Sequence, residues 1–366
     1  MKILTVIGAR PQFIKAAPIS SVLRKKHIEI LIHTGQHYDS NMSEVFFQEL
    51  SIPKPDYNLN VGSGGHGYQT GKMLEGIEEI IINEEPDGLL VYGDTNSTLA
   101  GSLAASKLNV PVFHIEAGLR SYNRHMPEEQ NRILTDHISS LLLCPTQRAV
   151  ENLVKEGIVS GVHHTGDIMF DAVLQNKNVS QTKYSNGAWI SELRKLNNGF
   201  PYIEENHYYL STIHRAENTN DVEKLREILT AFELLEKKVI FPLHPRTKKA
   251  VAELGMNLRN VIIIEPVGYL LMLYLTANAL MVLTDSGGLQ KEAYFLNTPC
   301  VTLREETEWI ETLENNWNVL CPIKCNEILE KANRNINNLT KISTQPFGDG
   351  NAAETINRII TNERIH

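Results

Sequence analysis

The chain has 366 residues, of which 42% are hydrophobic and 21% are charged, and its formal net charge at pH 7 is −8. This length predicts two domains, and the composition is ordinary for a soluble globular enzyme. The acidic balance argues against general binding to nucleic acids or anionic membranes, so local basic groups must meet any anionic ligand.

The N-terminus and the cysteines indicate the cellular setting. The first residues enter a strand without a signal-peptide pattern, and no apolar run is long enough to span a bilayer. Cys144 and Cys300 lie in apolar, strand-like runs, which predicts buried thiols. The spacing of Cys321 and Cys325 is not that of a zinc knuckle. We therefore expect a cytoplasmic protein that binds no metal.

The first predicted strand, residues 2–7, is followed by a loop and then by a helix that starts near Phe13. Arg10 and Lys15 place two cations around the start of that helix. Ligands bind beyond the carboxyl ends of strands in open α/β sheets, although most such cations are simply solvated. The glycine fingerprint of dinucleotide-binding domains is absent from this turn.

The second predicted strand, residues 28–32, leads into a loop that contains His37. A lone histidine in a loop is more often structural than functional. A glycine-rich run follows at residues 62–67, before a helix predicted from about Thr70 to Asn83. The run is interpreted either as a lid or as a backbone cradle for a ligand.

Two successive strands then end in carboxylates. Residues 88–92 lead to Asp94, and residues 111–115 lead to Glu116. Adjacent parallel strands lie about 5 Å apart, so these side chains can meet at one edge of the sheet. A pair of carboxylates is a common acid–base device, because each raises the pKa of the other. The structural alternatives are a helix cap for Asp94 and a buried ion pair for Glu116, for example with Arg120.

A further helix is predicted to begin at Pro127, with Glu128 and Glu129 in its first turn. The helix dipole favours acids there without any catalytic role. Arg132 is one turn from Glu128 and is predicted to be its partner on the helix surface. Residues 166–205 lose periodicity, which predicts a domain boundary near residues 166–171 followed by a polar surface insertion.

The second half repeats the arrangement of strand, loop and helix. Polar and charged side chains follow its predicted strands, namely His214, Arg215, His244 and Glu308. The apolar run at residues 279–283 is followed by Ser286, Gly287 and Gly288 and then by a helix that carries Glu292. Such a helix start attracts a diphosphate, and Glu292 is placed to accept hydrogen bonds from a ribose. The structural alternative is a capped turn of any doubly wound domain.

These patterns predict an α/β protein of two Rossmann-like, doubly wound domains that face a deep interdomain cleft. We expect an N-terminal domain at residues 1–168 with the catalytic carboxylates and a C-terminal domain at residues 169–350 that binds a nucleotide. Residues 351–366 are predicted to form a helix that returns to the N-terminal domain.

Several motifs, in order along the chain, resemble the non-hydrolysing UDP-N-acetylglucosamine 2-epimerase family. The similarity runs from Met1 to about Ile360. Its motifs are Gly8-Ala9-Arg10-Pro11, Gly93-Asp94-Thr95-Asn96-Ser97-Thr98, His114-Ile115-Glu116-Ala117-Gly118-Leu119-Arg120, Pro127-Glu128-Glu129, His214-Arg215-Ala216-Glu217-Asn218, Asp285-Ser286-Gly287-Gly288-Leu289-Gln290-Lys291-Glu292-Ala293 and Phe347-Gly348-Asp349-Gly350.

The resemblance implies a GT-B-type fold, a homodimer, and inversion at C2 of a UDP-2-acetamido sugar without a metal or nicotinamide cofactor. UDP would leave across C1–C2 and add back to a 2-acetamidoglucal, yielding precursors for surface polysaccharides. The implied catalytic residues are Asp94, Glu116, Glu128 and His214. The implied substrate-binding residues are Arg10, Lys15, His37, Arg215, His244, Ser286, Gly287, Gly288, Glu292 and Glu308.

The sequence also departs from the family pattern. Tyr38 and Asp39 replace the Arg-Gln of members activated by a second substrate molecule, and Lys72 stands where those members have an arginine. The run Thr307-Glu308-Trp309 is similar to the branch that acts on UDP-2,3-diacetamido-2,3-dideoxyglucuronate. A uronate needs a cation, and Lys291 is either that cation or a simply solvated residue, so both substrates stay open. A GT-B glycosyltransferase and an inactive nucleotide-sugar sensor are the further alternatives.

Overall fold

The computed structural model describes residues 1–36, 47, 49–243, 245–334, 339 and 345–362, with only the backbone at residues 245 and 246. The chain forms two compact units. Met1–Gln175 and Gln345–His366 make up the first, and Asn176–Thr344 makes up the second. Each contains one parallel sheet covered by helices, as the sequence predicts.

The sheet of the first unit contains seven strands within the described residues, all of them parallel and in the order β3-β2-β1-β4-β5-β6-β7. Its inner strands are continuous buried apolar runs, as expected of a parallel sheet covered on both faces. The strands are β1 (Lys2–Ile7), β2 (Ile28–His33), β3 (Tyr57–Asn58), β4 (Gly88–Tyr92), β5 (Val112–Ile115), β6 (Leu141–Cys144) and β7 (Val162–His164).

The helices that connect these strands are α1 (Arg10–Leu23), α2 (His66–Glu84), α3 (Asn96–Lys107), α4 (Pro127–Ile138) and α5 (Gln147–Lys155). On α2, Met73, Ile77 and Ile81 form a buried stripe at helical spacing that packs against the sheet. The facing helix α3 presents alanines to the same cluster. Gly65, in the predicted glycine-rich run of residues 62–67, is the N-cap of α2, so the last two residues of that run are helical.

The sheet of the second unit has the order β10-β9-β8-β11-β12-β13 and is likewise parallel, with six strands in the described part of the chain. Both sheets therefore follow the strand order 3-2-1-4-5-6 of dinucleotide-binding domains, and the first adds a seventh strand. The strands are β8 (Tyr208–Thr212), β9 (Lys238–Pro242), β10 (Val261–Ile264), β11 (Met281–Thr284), β12 (Cys300–Thr302) and β13 (Asn318–Leu320).

Helices α6 (Ile168–Tyr184) and α7 (Ala188–Leu196) replace the polar insertion predicted for residues 166–205, so that prediction was wrong. Tertiary contacts outweigh the weak local pattern here. The Trp189 ring of α7 is buried, and its centroid lies 5.5 Å from that of Tyr208. On α6, the buried Ser180 hydroxyl donates to the carbonyl of Leu270 at 2.6 Å.

The remaining helices of the second unit lie between or after its strands in the chain. They are α8 (Ala216–Thr219), α9 (Val222–Leu234), α10 (Pro245–Glu253), α11 (Tyr269–Ala277), α12 (Gly287–Phe295) and α13 (Cys325–Ala332), with a 3₁₀ segment at Ile310–Asn316. Residues 269–276 of α11 are buried on every side. The thiols of Cys144 and Cys300 are buried, as predicted.

The last helix, α14 (Ala352–Asn362), belongs to the first unit and packs against α1. Its first turn is tied to α6, because the carboxylate of Asp171 accepts hydrogen bonds from the backbone N–H groups of Ala352 at 3.1 Å and Ala353 at 2.8 Å. Among the described residues, every helix is too short or too polar to cross a bilayer.

Candidate active site

The loops after three strands of the first sheet converge at its carboxyl edge. A Cβ atom at Gly8, after β1, would lie 2.1 Å from Thr34 Oγ1 and 2.2 Å from Ser97 Oγ, so a larger residue has no room there. The buried Gln12 side chain accepts from the Gly8 N–H at 2.8 Å and donates to the Tyr92 carbonyl at 2.9 Å. These bonds join the start of α1 to the end of β4.

Sequence reasoning missed the role of Gln12. A glutamine three residues after the N-cap is a capping-box position, and this signal could have identified it. The capping interaction also explains why α1 begins at Arg10, earlier than the predicted start at Phe13. Arg10 is half-buried at the first position of that helix.

Glu116 forms an ion pair with Lys15, and both side chains are buried. The predicted buried ion pair of Glu116 is confirmed, but the suggested partner was wrong, because Arg120 binds Asp136 at 2.6 Å and Glu156 at 2.7 Å. Lys15 is 8% exposed and so is not simply solvated. Glu116 has a backbone φ of +68°, a left-handed conformation that costs energy in a residue with a Cβ and is commonest at functional sites.

Asp94 forms an ion pair with Arg132, which also donates to Glu129 Oε2 at 2.6 Å. Arg132 is only 3% exposed, so its predicted place on the helix surface beside Glu128 was wrong. The reason is that Arg132 faces the sheet edge, where two carboxylates offset the cost of burying its charge. The Asp94 side chain remains 30% exposed and can reach a ligand.

The two glutamates in the first turn of α4 differ in burial. Glu129 is fully buried and accepts from the backbone N–H groups of Ser121 at 2.9 Å and Tyr122 at 2.8 Å. Burial raises the pKa of Glu129, but these hydrogen bonds and Arg132 outweigh it, so the pKa lies below the ordinary value. Glu128 is exposed and therefore accessible to a ligand.

In the second unit one buried carboxylate holds the loop after β8 at the carboxyl edge of the sheet. Asp285, after β11, accepts hydrogen bonds from the backbone N–H of His214 at 3.1 Å, the N–H of Arg215 at 3.0 Å and the side chain of Asn218 at 3.0 Å. These bonds fix the loop after β8. The His214 side chain is left 55% exposed, with Nδ1 3.5 Å from Asp285 Oδ1.

The start of α12 is an open helix N-terminus. The Ser286 hydroxyl caps it by accepting from the Leu289 N–H at 3.3 Å. Among the described atoms, a Cβ atom at Gly288 would meet only Ser286 Oγ, at 3.9 Å, so there is room for a methyl group at this position. A Cβ atom at Gly287 would lie 2.5 Å from Glu308 Oε1, which shows how closely Glu308 approaches the turn.

Further charged side chains surround this turn. Glu308 accepts from Arg304 at 3.0 Å, and its Oε1 lies 3.9 Å from Arg215 Nη2. The structure thus brings Arg215, Ser286, Gly287 and Glu308 together. Glu292 and Lys291 are buried on α12, and the Lys291 ammonium lies 3.5 Å from the centroid of the Trp309 ring.

His37 and His244 lie outside the described residues. The described part of the chain contains no group of three or more His, Cys, Asp or Glu side chains that could hold a metal ion.

Two parallel sheets of one strand order, with polar groups at their carboxyl edges, define a two-domain α/β protein of the GT-B type. The chain belongs to the UDP-N-acetylglucosamine 2-epimerase family, whose family model matches residues 22–361. This is a family of isomerases.

Three relatives illustrate the similarity. A Methanococcus maripaludis UDP-N-acetylglucosamine 2-epimerase homolog is 51% identical over 99% of this chain and 100% of its own. A Pseudomonas aeruginosa UDP-2,3-diacetamido-2,3-dideoxy-D-glucuronate 2-epimerase is 46% identical over 97% of this chain and 98% of its own. The Methanocaldococcus jannaschii UDP-GlcNAc 2-epimerase, solved with UDP-GlcNAc and UDP, has a TM-score of 0.88 at 43% identity and covers 99% and 100% of the two chains.

Proposed function

We propose that this chain is a non-hydrolysing UDP-N-acetylglucosamine 2-epimerase. The observation that carries the proposal is the pair of carboxylates after neighbouring strands. Asp94 follows β4 and Glu116 follows β5, and each is held by a buried cation from another element. Such cations offset the cost of burying a carboxylate, and a carboxylate held beside the substrate can accept a proton. Membership of the epimerase family gives this chemistry its substrate class.

The reaction starts with removal of the C2 proton by a carboxylate. The C2–H electrons form the C1–C2 double bond while the C1–O bond breaks, and UDP leaves with that bonding pair. UDP then attacks C1 of the 2-acetamidoglucal again, and C2 takes a proton on its other face. Asp94, Glu116 and Glu128 are the proposed acid–base groups, and the exposed His214 assists the departing diphosphate.

The second unit is the proposed UDP-binding half. The helix N-terminus at Ser286, Gly287 and Gly288, with Arg215 beside it, suits a diphosphate. Glu292 is the proposed acceptor for the ribose hydroxyls. Arg10 and Lys15 are proposed to complete the charge balance from the first unit, with Glu308, His37 and His244 as further binding residues.

A second candidate substrate is UDP-2,3-diacetamido-2,3-dideoxyglucuronate. The specific support is the 46% identity to the Pseudomonas aeruginosa epimerase named for that sugar. The Lys291 ammonium lies over the Trp309 ring. In the sequence, Lys291 comes shortly after the turn at Ser286–Gly288, and Trp309 directly follows Glu308. A uronate carboxylate needs a nearby cation of this kind.

The test is incubation of the protein with each UDP-sugar in deuterated water. Deuterium at C2, together with the C2 epimer and intact nucleotide, is the expected result, and the faster of the two sugars identifies the substrate. Asp94→Asn is expected to lower exchange by about 10²–10⁴-fold with UDP affinity nearly unchanged. Asp87→Asn is the matched control, since Asp87 is the exposed aspartate at the opposite end of β4.

Two results would contradict the proposal. Transfer of the sugar to an acceptor without C2 exchange would favour a GT-B glycosyltransferase. Binding of both UDP-sugars without turnover would favour a nucleotide-sugar sensor. A large loss of UDP affinity in Asp94→Asn would instead make Asp94 a binding residue.

We further propose that the protein acts as a cytoplasmic homodimer that supplies precursors for surface polysaccharides. The family resemblance supports both the dimer and the location. Light scattering coupled to size-exclusion chromatography tests the dimer, for which the expected mass is twice the 41.2 kDa of the chain.

A further inference from the structure

Three buried side-chain amides form a continuous series of hydrogen bonds at the carboxyl edge of the first sheet. They belong to Asn131 on α4, Asn96 at the start of α3 and Gln69 on α2, and each residue is at most 8% exposed. Asn131 Nδ2 donates to Asn96 Oδ1 at 3.3 Å, and Asn96 Nδ2 donates to Gln69 Oε1 at 3.1 Å. We call these three residues the amide network.

Each end of the amide network binds a backbone carbonyl. Asn131 Nδ2 donates to the carbonyl of Asp94 at 2.9 Å. Gln69 Nε2 donates to the carbonyl of Gly62 at 2.7 Å. A carbonyl oxygen can only accept, so these two bonds fix which end of each amide is the nitrogen. The network therefore connects the backbone of a proposed acid–base residue to the glycine-rich run at residues 62–67.

The glycine-rich run is held at its start by a second bond. The Gly62 N–H donates to the carbonyl of Gly35, in the loop after β2, at 3.0 Å. Gly62 has a φ of +74°, a conformation that favours glycine. The bonds to Gly35 and Gln69 thus hold both polar backbone groups of this residue. They favour the interpretation of the run as a fixed cradle over its interpretation as a lid.

His66, the exposed first residue of α2, binds the middle of the amide network. Its Nδ1 lies 3.2 Å from Asn96 Nδ2 and 3.4 Å from Asn96 Oδ1. The nearer atom is the nitrogen, which can only donate, so Nδ1 accepts and the proton of the neutral ring lies on Nε2. A Cβ atom at Gly65 or Gly67 would meet no described atom within 4 Å, so there is space beside the ring for a ligand.

The proposed reaction indicates which substrate group would meet this donor. Nδ1 faces the buried amides, so Nε2, on another side of the ring, faces away from them. If Asp94 acts at C2 of the sugar, a donor tied to the Asp94 turn lies near the substituent of that carbon. In a UDP-2-acetamido sugar this substituent carries a carbonyl oxygen, which accepts hydrogen bonds.

We propose that His66 is a further substrate-binding residue, which donates from Nε2 to the carbonyl oxygen of the 2-acetamido group. The amide network holds the ring in place beside the Asp94 turn. The proposal rests on the proposed epimerase function and extends it to recognition of the acetamido group. The position of the ring proton does not depend on that function, and it can be measured without substrate.

The first measurement is nitrogen NMR of the wild-type protein labelled at histidine. The His66 signals are those that disappear in His66→Phe. In the neutral ring, an unprotonated Nδ1 and a protonated Nε2 are expected. A ring with its proton on Nδ1 would overturn the proposal.

The second measurement is calorimetric titration with UDP-N-acetylglucosamine, with UDP-glucose, which lacks the acetamido oxygen, and with UDP. His66→Phe is expected to lower the affinity for UDP-N-acetylglucosamine about tenfold, the effect of one lost hydrogen bond, and to leave the other two affinities unchanged. His66→Gln places an amide nitrogen near the position of Nε2 and should retain most of the affinity. His137→Phe is the matched control, since His137 is an exposed histidine of the same unit whose Nδ1 lies 2.9 Å from the carbonyl of Ile133, and no affinity should change.

Equal losses of affinity for all three ligands in His66→Phe would mean that the ring supports the fold or the nucleotide, and the proposal would fail. Unchanged affinity for UDP-N-acetylglucosamine would have the same meaning for the acetamido contact. Asn96→Leu removes the support of the ring and should show the same selective loss, and a folded variant without that loss would refute the role of the amide network. If the wild-type protein binds UDP-N-acetylglucosamine without C2 exchange, the proposed function fails, whereas these titrations still decide the acetamido contact.

Discussion

The two units share one strand order but use carboxylates in opposite ways. In the first unit Asp94 and Glu116 pair with the side chains of Arg132 and Lys15. In the second unit Asp285 accepts backbone N–H groups and is 0% exposed. The first arrangement joins each carboxylate to a cationic side chain, and it is there that we propose proton transfer, whereas the second uses its carboxylate to fix a loop. Sheets of one strand order can thus hold their carboxylates in two different ways, and we propose proton transfer for the first sheet and anion binding for the second.

Removal of the structural carboxylate should have the largest effect. Asp285→Ala leaves the N–H groups of His214 and Arg215 without their acceptor in a buried site, and we expect a loss of about 3–5 kcal/mol in the free energy of unfolding. Urea denaturation measures it. Asp221→Ala is the control, since that exposed N-cap also accepts two backbone N–H groups and should cost about 1 kcal/mol. Equal losses of unfolding free energy in the two variants would mean that Asp285 contributes no more to stability than an exposed helix cap does.

Removal of the reactive carboxylate should affect rate more than binding. Glu116→Gln is expected to lower C2 exchange by about 100–1,000-fold while UDP affinity, measured by calorimetry, stays the same. Glu29→Gln is the matched control, because Glu29 is equally buried in the same sheet and bonds to Thr5 at 2.8 Å and Arg24 at 2.8 Å. A similar loss of rate in Glu29→Gln would show that Glu116 acts through stability alone.

A smaller effect is expected at the anion-binding turn. Gly288→Ala has room for its methyl group in the protein itself, so the melting temperature should not change. If the open space before the turn belongs to the diphosphate, UDP affinity should fall about tenfold, or 1.4 kcal/mol. Calorimetric titration with UDP measures this. Unchanged affinity would place the diphosphate elsewhere.

The smallest effect concerns pH. The pKa of Glu129 is lower in the folded chain than its ordinary value of 4.5, so the unfolded chain binds more protons below that value. The stability that Glu129 contributes is therefore present above pH 4.5 and is lost as the pH falls through its folded pKa. Glu129→Gln should flatten the dependence of unfolding free energy on pH in this acidic range. A slope equal to that of the wild-type protein would mean that other carboxylates dominate acid unfolding.

The fold was largely predictable because its signals are local. Buried parallel strands appear as continuous apolar runs, and the turns that follow them carry glycines and polar residues, as at Gly93–Asp94 and Ser286–Gly288. The motifs that resemble the epimerase family lie at the same turns. Helices α6 and α7 were missed because their burial depends on partners such as Tyr208 and Leu270, which lie in later elements.

The ion pairs could not be predicted for a related reason. Lys15 and Glu116 are 101 residues apart, and Arg132 and Asp94 are 38 apart, so periodicity carries no information about either pair. The arginine on α4 looked like a surface residue because its neighbour Glu128 offered a simple partner. Only the folded sheet edge shows that Arg132 binds Glu129 and Asp94 instead.

The first unit is built from two separate stretches of chain, since α14 packs on α1 and is held by Asp171. On the ribosome, residues 176–344 emerge before those that form α14. The N-terminal half therefore stays unfinished throughout translation of the second unit, with the surface of α1 uncovered until the last helix arrives. Truncation of α14 should accordingly trap nascent chains as aggregates, although every residue of the proposed catalytic machinery has already been made.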